Sequence, residues 1–202
     1  MLHPYSLAKA IACWLEFHSI CGVSGAITEY QMAMPLHMVI TSKGRGCWVK
    51  REQPLGEMMR TGCIGKSGRP KAFDFCVYKI RDRQGPTCPV AVIETKYAGK
   101  RLLGWAKLKA DIQRLASVKG VTVRSRWLIV AGRYAGNGGS GVAKVAQQIK
   151  DRSPELGKRC TVKLAAMYPR ELGVQSGGGS DGLRQITRPQ DIACAIWEIV
   201  PR

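Results

Sequence analysis

The stretch Lys71-Ala-Phe-Asp74-Phe-Cys-Val-Tyr-Lys-Ile80, continued after a loop by Pro89-Val-Ala-Val-Ile-Glu94-Thr-Lys96-Tyr97, decides the fold. Each half alternates along a strand, and Arg81 to Pro89 between them is rich in turn residues, so the two halves read as neighbouring strands of one sheet. Side chains at i and i+2 share a face of a strand, which sends Glu94 and Lys96 to the same side together with Val90 and Val92. An acid and a base therefore sit side by side. Asp74 stands between Phe73 and Phe75, and an acid inside an apolar strand needs a partner or a metal. Asp74 reads as a metal ligand.

A carboxylate on one strand followed, across a hairpin, by Glu-x-Lys on the next resembles the active-site signature of the PD-(D/E)XK nuclease superfamily, the restriction-endonuclease-like fold. Asp74 matches the first acid of that family, and Glu94 and Lys96 match its Glu-x-Lys pair. The proline that usually precedes the Asp is replaced by Phe73, and the nearest proline is Pro70 in Gly68-Arg-Pro70-Lys71. The resemblance covers the chain to about residue 135. It implies an α/β protein with a central mixed β-sheet flanked by helices in the order α-β-β-β-α-β, with C-terminal α/β additions. It implies further a Mg²⁺-dependent endonuclease that hydrolyses DNA phosphodiester bonds, with Mn²⁺ as a substitute.

The same resemblance distributes the roles. Asp74 and Glu94 would be metal ligands, with the backbone carbonyl of Thr95 as a further oxygen. A third acid often comes from the opening helix or the strand after it, and Glu16 and Glu29 are the candidates. Lys96 would orient or deprotonate the attacking water, or stabilise the transition-state charge. The helix after Glu-x-Lys often offers a Gln, Lys or acid to substrate or to metal-bound water. Gln113 and Lys109 fit that role best, against the plainer reading of a solvated charged face with local pairs such as Lys107 to Asp111.

A chain of 202 residues is long enough for one domain with a real core. The expectation is a single domain over 1–202, with the core at about 6–135 and an extension at about 136–202. With 45% hydrophobic residues the chain is not disordered, and 32 Lys+Arg against 14 Asp+Glu leave a formal charge of +18. That excess is spread over the whole chain, so a polyanion is the natural partner: DNA first, RNA or a branched nucleic acid as alternatives. A merely soluble basic protein, or one resting on anionic lipid, would not call for acids buried on a strand.

Two glycine-containing basic turns, Ser42-Lys43-Gly44-Arg45-Gly46 and Thr61-Gly-Cys-Ile-Gly-Lys66-Ser-Gly-Arg69, suit phosphate contacts, because glycine admits a phosphodiester closely while Lys and Arg neutralise it. Lys43, Arg45, Lys66, Arg69, Lys71, Lys100, Arg101 and Lys109 are the candidate nucleic-acid contacts; solvated loops are the plain alternative. Gly62 to Ser67 lacks the spacing of a phosphate-binding nucleotide loop, which argues against nucleotide hydrolysis.

The remaining pattern predicts a helix over Ser6 to His18, a strand over Ala26 to Ala33, and little order from Pro35 to Arg69. A helix follows over Leu102 to Lys119, a strand over Arg124 to Ala131, and a helix from Val142 to about Lys150. The strand–helix–strand order predicts a parallel, right-handed crossover. Cys160 to Tyr168 reads as a strand, Gln175 to Gly182 as a low-complexity turn, and Thr187 to Val200 as a last helix with Ile192, Ala195, Ile196 and Ile199 inward.

The eight cysteines are scattered, without a Cys-x-x-Cys pair, and read as reduced core residues. Some members of the superfamily carry an iron–sulfur cluster on cysteines from both ends of the chain, a role the resemblance would give to Cys13, Cys21, Cys160 and Cys194. The opening residues lack the order of a signal peptide and no apolar run approaches the roughly 18 residues that span a bilayer, so an intracellular location, cytoplasmic or nucleoid-associated, without membrane association is expected.

Three alternatives compete with a nuclease. One is an exposed Glu-x-Lys ion pair on an edge strand, with Asp74 capping a turn. Another is a basic nucleic-acid-binding protein of the same fold that does no chemistry, and the weakest is a partner for an acidic protein. A nuclease with one site per chain that cuts both strands would be served by a two-fold homodimer.

Overall fold

The computed structural model describes residues 3–21, 29–43, 46–54, 72–79, 89–99, 103–118, 123–134, 141–168 and 192–202. Over these residues the chain is an α/β protein with a six-stranded mixed sheet flanked by four helices. Helix α1 (Pro4–Ile20) is followed by a 3₁₀ turn (Glu29–Met32) that runs into α2 (Ala33–Lys43). Three strands come next: β1 (Cys47–Pro54), β2 (Ala72–Lys79) and β3 (Pro89–Ala98). Then come α3 (Trp105–Ser117), β4 (Ser125–Arg133), α4 (Val142–Arg152), a second 3₁₀ segment (Ser153–Arg159), β5 (Cys160–Tyr168) and β6 (Ile192–Pro201).

The spatial order is β1-β2-β3-β4-β6-β5. β1, β2 and β3 form an antiparallel meander, while β3 and β4 are parallel, as a crossover through α3 requires. β6 then pairs antiparallel with β4 on one side and with β5 on the other. Residues beyond 135 thus continue the same sheet. Gly132 on β4 pairs with Ala98 at the end of β3 and has a φ of +148°; a Cβ there would run into the carbonyl of Ala98, so the close approach of these strands needs glycine.

Apolar layers cover both faces. α1 and α2 lie on one, where Leu7, Ile11, Leu15, Met32, Leu36 and Ile40 meet Phe75, Val77, Ile93, Ile129 and Ile196. α3 and α4 lie on the other, where Leu108, Ile112, Leu115, Val145 and Ile149 meet Val92, Leu128, Val130, Ala195 and Trp197. The strict alternation along β4 and β6 between these two sets is the period-2 signature of strands buried on both sides.

Two expected elements are corrected. The strand expected over Ala26 to Ala33 is replaced, where described, by the 3₁₀ turn and the start of α2. Met32, Leu36 and Ile40, all fully buried, mark a helical spacing of four, and Pro35 falls in the first turn of α2, where proline is tolerated. The order expected to fade after Pro35 instead holds α2 and β1.

The final helix expected over Thr187 to Val200 is strand β6 where described. Ile192, Ala195, Ile196 and Ile199 fit a helix's period, but a continuous apolar run fits a strand covered on both faces equally well. The loop Arg81 to Cys88 and the low-complexity segment Gln175 to Gly182 lie outside the described residues. Among the described residues no helix is long and apolar enough to cross a membrane.

β6 is interior to the sheet, so truncating Ile196, which has no exposed surface, should lower the unfolding free energy by about 2–5 kcal/mol in Ile196→Ala. Leu164→Ala on edge strand β5, where the side chain is 55% exposed, should change it by less than about 0.5 kcal/mol. Chemical denaturation of both variants measures the contrast, and equal effects would contradict the placement of β6.

Candidate functional site

On β3, Val92 and Ala98 face α3, and the alternation carries Glu94 and Lys96 to that same side. β3 is interior, between β2 and β4, and both side chains are buried, Glu94 at 3% and Lys96 at 4% exposure. An exposed edge-strand ion pair is therefore excluded.

Lys96 Nζ donates to Glu94 Oε1 at 3.2 Å and to the Thr95 carbonyl at 2.8 Å, and stands 3.4 Å from Asp111 Oδ2. From α3, the Arg114 guanidinium donates to Glu94 Oε1 and forms an ion pair with Asp111 Oδ1 at 2.8 Å. Its Cζ lies 5.8 Å from the centre of the Phe73 ring. Lys96, Glu94, Arg114 and Asp111 thus close a ring of alternating charge between strand and helix.

Asp74 approaches from β2. The β2–β3 ladder runs from Tyr78↔Pro89 to Phe75↔Ile93 and ends there. Just beyond it, the half-buried Asp74 carboxylate takes the place of a backbone acceptor: Thr95 donates its N–H at 2.7 Å and its hydroxyl at 2.8 Å to Asp74 Oδ2. A carboxylate accepts more bonds than these two, so Asp74 can bind Thr95 and still present lone pairs.

Three carboxylates share two cations here, and that imbalance shows in Glu94. Burial pushes its carboxyl up to about 7, with Asp74 adding to the rise and Lys96 and Arg114 opposing it. Glu94 Oε2 is buried with no hydrogen-bond partner, and Asp111 Oδ2 likewise accepts no hydrogen bond. Burial, with Glu94 adding, also raises the neighbouring Cys76 thiol to about 12, which keeps it protonated.

An orphaned carboxylate oxygen beside a second acid fits a cation. Asp74 and Glu94 are the residues that could hold it, with Asp111 close by. Among the described residues no three or more His, Cys, Asp or Glu form a group that could hold a metal ion by themselves. The fit is accordingly to an ion that takes one or two carboxylates and completes its shell with water and phosphate oxygens, as Mg²⁺ does.

Asp111 and Arg114 were not anticipated as members of this group. Asp111 is buried and does not pair with Lys107, the partner expected for it on a solvated face. The signal was present in the spacing: Leu108, Asp111, Ile112 and Leu115 fall on one stripe of α3, so a carboxylate occupies an inward position.

Gln113 lies about 160° around the helix from Asp111, half-buried and apart from the ring. Lys109 is turned away by a similar angle and stands 3.7 Å from Glu155, which also accepts the Trp105 indole N–H at 2.7 Å. Glu16 is exposed on α1, on the opposite face of the sheet from Glu94 and Lys96, and does not join them. Glu29 sits in the 3₁₀ turn, and its side chain lies outside the described residues, as does that of Lys43. Arg45, Lys66, Arg69, Lys71, Lys100 and Arg101 also lie outside them.

Cys160 and Cys194 belong to opposite apolar layers and cannot share an iron–sulfur cluster. Cys13 and Cys21, expected in the core, are exposed. Comparison with protein-family models, with curated proteins and with solved structures finds no match to this chain.

The Glu94 shift sets a pH dependence for the metal-free protein. Its folded value lies above the ordinary 4.5, so between about 4.5 and about 7 the folded state binds more protons than the unfolded one, and this group's contribution to stability falls as pH rises through that window. The fall is on the order of 3 kcal/mol. Denaturant titrations in EDTA at pH about 5 and about 8 should show it in the native chain and show it flattened in Glu94→Gln.

Proposed function

We propose that the chain is a metal-dependent nuclease of the restriction-endonuclease-like kind, acting on DNA. The observation that carries the reading is Glu94, buried and facing α3 beside Lys96, with one oxygen unpartnered and Asp74 delivered next to it where the β2–β3 ladder ends. The element order supports it: a helical opening, an antiparallel three-strand meander, a helix and a parallel strand. The charge of +18 suits a polyanionic substrate.

Asp74 and Glu94 would hold a Mg²⁺ or Mn²⁺ ion, with the Thr95 carbonyl as the further oxygen. Such an ion, when bound, polarises the phosphate and makes its water more acidic. Hydrolysis adds water across a P–O bond, leaving a phosphate on one fragment and a hydroxyl on the other. Lys96 lies within reach of two carboxylates and a carbonyl, surroundings that suit an ammonium. Its role in this reading is to hold positive charge beside the phosphoryl oxygen on which negative charge develops. Asp74 positions Thr95, and through it the strand that carries Glu94 and Lys96. A homodimer would place two such sites on the two strands of a duplex.

A second reading, a nucleic-acid-binding protein of this fold without chemistry, draws on the ion-pair ring itself, which can act as a purely structural joint between β3 and α3. Incubation with linear, supercoiled and branched DNA and with RNA, in Mg²⁺, Mn²⁺ or EDTA, separates the two. Metal-dependent cleavage of DNA is expected, reduced at least about 100-fold in Lys96→Ala and in Asp74→Ala with binding retained. Salt-sensitive binding without cleavage in any condition would favour the second reading.

A further inference from the structure

We infer that Arg114 is a built-in counter-cation of the candidate metal site: in the metal-free protein its guanidinium pairs with Glu94 and Asp111, and a divalent ion that binds Glu94 competes with it for the carboxylate. The inference rests on the metal-dependent reading above and adds to it a competition within the chain itself.

One guanidinium nitrogen, Nη2, serves both acids, donating to Glu94 Oε1 and pairing with Asp111 Oδ1. A guanidinium grips a carboxylate best with two parallel N–H bonds; here a single nitrogen is divided between two acids, while Nε is buried without a partner. The grip is therefore incomplete on both sides, because Glu94 Oε2 and Asp111 Oδ2 also lack hydrogen bonds.

The two cations of the ring differ in freedom. Lys96 is enclosed, its side chain 5% exposed and tied to Glu94, Asp111 and the Thr95 carbonyl. The Arg114 side chain is 19% exposed, resting over Phe73, and has a route to solvent. A divalent ion brings twice the charge to the same carboxylate and can use the oxygen the guanidinium leaves orphaned. Of the two cations Arg114 is the freer to give way, and weakening its hold on Glu94 is a cost the ion must overcome.

Mn²⁺ itself is the probe, titrated by calorimetry and by the electron paramagnetic resonance of the free ion, without nucleic acid, against the native chain, Arg114→Met and Arg114→Lys. Arg114→Met should bind Mn²⁺ about tenfold more tightly than the native chain. Its thermal midpoint should be lower in EDTA and rise further when Mn²⁺ is added. Arg114→Lys keeps a charge but cannot reach both acids as the longer fork does, and should fall between; it carries the same test where the Met variant fails to fold. Equal or weaker Mn²⁺ binding in the variants, with binding intact in the native chain, overturns the competition alone. Absence of Mn²⁺ binding in every form overturns the metal-dependent reading and the competition with it.

Discussion

A carboxylate removed from water needs a positive charge or a proton, and Glu94 depends on both. Its burial between β3 and α3 brings Lys96 from the same strand and Arg114 from the helix to the same oxygen, and still leaves the carboxyl up to about 7. Much else in the fold serves this one demand. α3 must lie across β3 with Asp111 and Arg114 turned inward, which requires the parallel β3–β4 pair and the crossover that carries the helix. The close approach of β3 and β4 in turn requires glycine at position 132.

The opening of the β2–β3 ladder is the second constraint. A backbone N–H inside a sheet has to be bonded, and where the ladder ends after Phe75↔Ile93 the Thr95 N–H turns to the Asp74 side chain. Substituting a carboxylate for a peptide carbonyl places a negative charge where two strands meet, beside Glu94, and this neighbour is the largest contribution to its raised value after burial itself. The same bond that repairs the sheet therefore prepares the acid pair.

Asp74, Glu94 and Lys96 were legible in the sequence because a strand's period is two: once the strand is assigned, the shared face of residues 94 and 96 follows, and an acid between two phenylalanines announces itself. Helix α3 was legible for the same kind of reason, its apolar stripe of Leu108, Ile112 and Leu115 keeping a helix's period. β6 was not, since an apolar run without polar punctuation satisfies both periods, and its neighbours β4 and β5 are fixed only by tertiary pairing. Asp111 was hidden by its charge: a stripe of Leu108, Ile112 and Leu115 predicts burial at position 111, but an aspartate there is legible as inward only when the cations that receive it are known. Arg114 and Lys96 lie far apart in the chain, and only the fold brings them to one acid.

Burying Glu94, Lys96 and Asp111, with Asp74 and Arg114 partly buried beside them, is seldom the most stable solution for a junction between strand and helix. Apolar residues of similar volume commonly hold such a joint as well or better, since each ion taken from water loses several kcal/mol of hydration that its partners only partly restore. Here the restoration is visibly unfinished: Glu94 Oε2, Asp111 Oδ2 and Arg114 Nε remain without hydrogen bonds in a region otherwise packed with Val92, Leu108 and Leu128. A purely structural joint would gain from satisfying those atoms or removing them. A carboxylate oxygen is an acceptor, so Glu94 Oε2 and Asp111 Oδ2 can be completed by a hydrogen-bond donor, a proton or a cation, and the metal-dependent reading proposed above draws on the last of these.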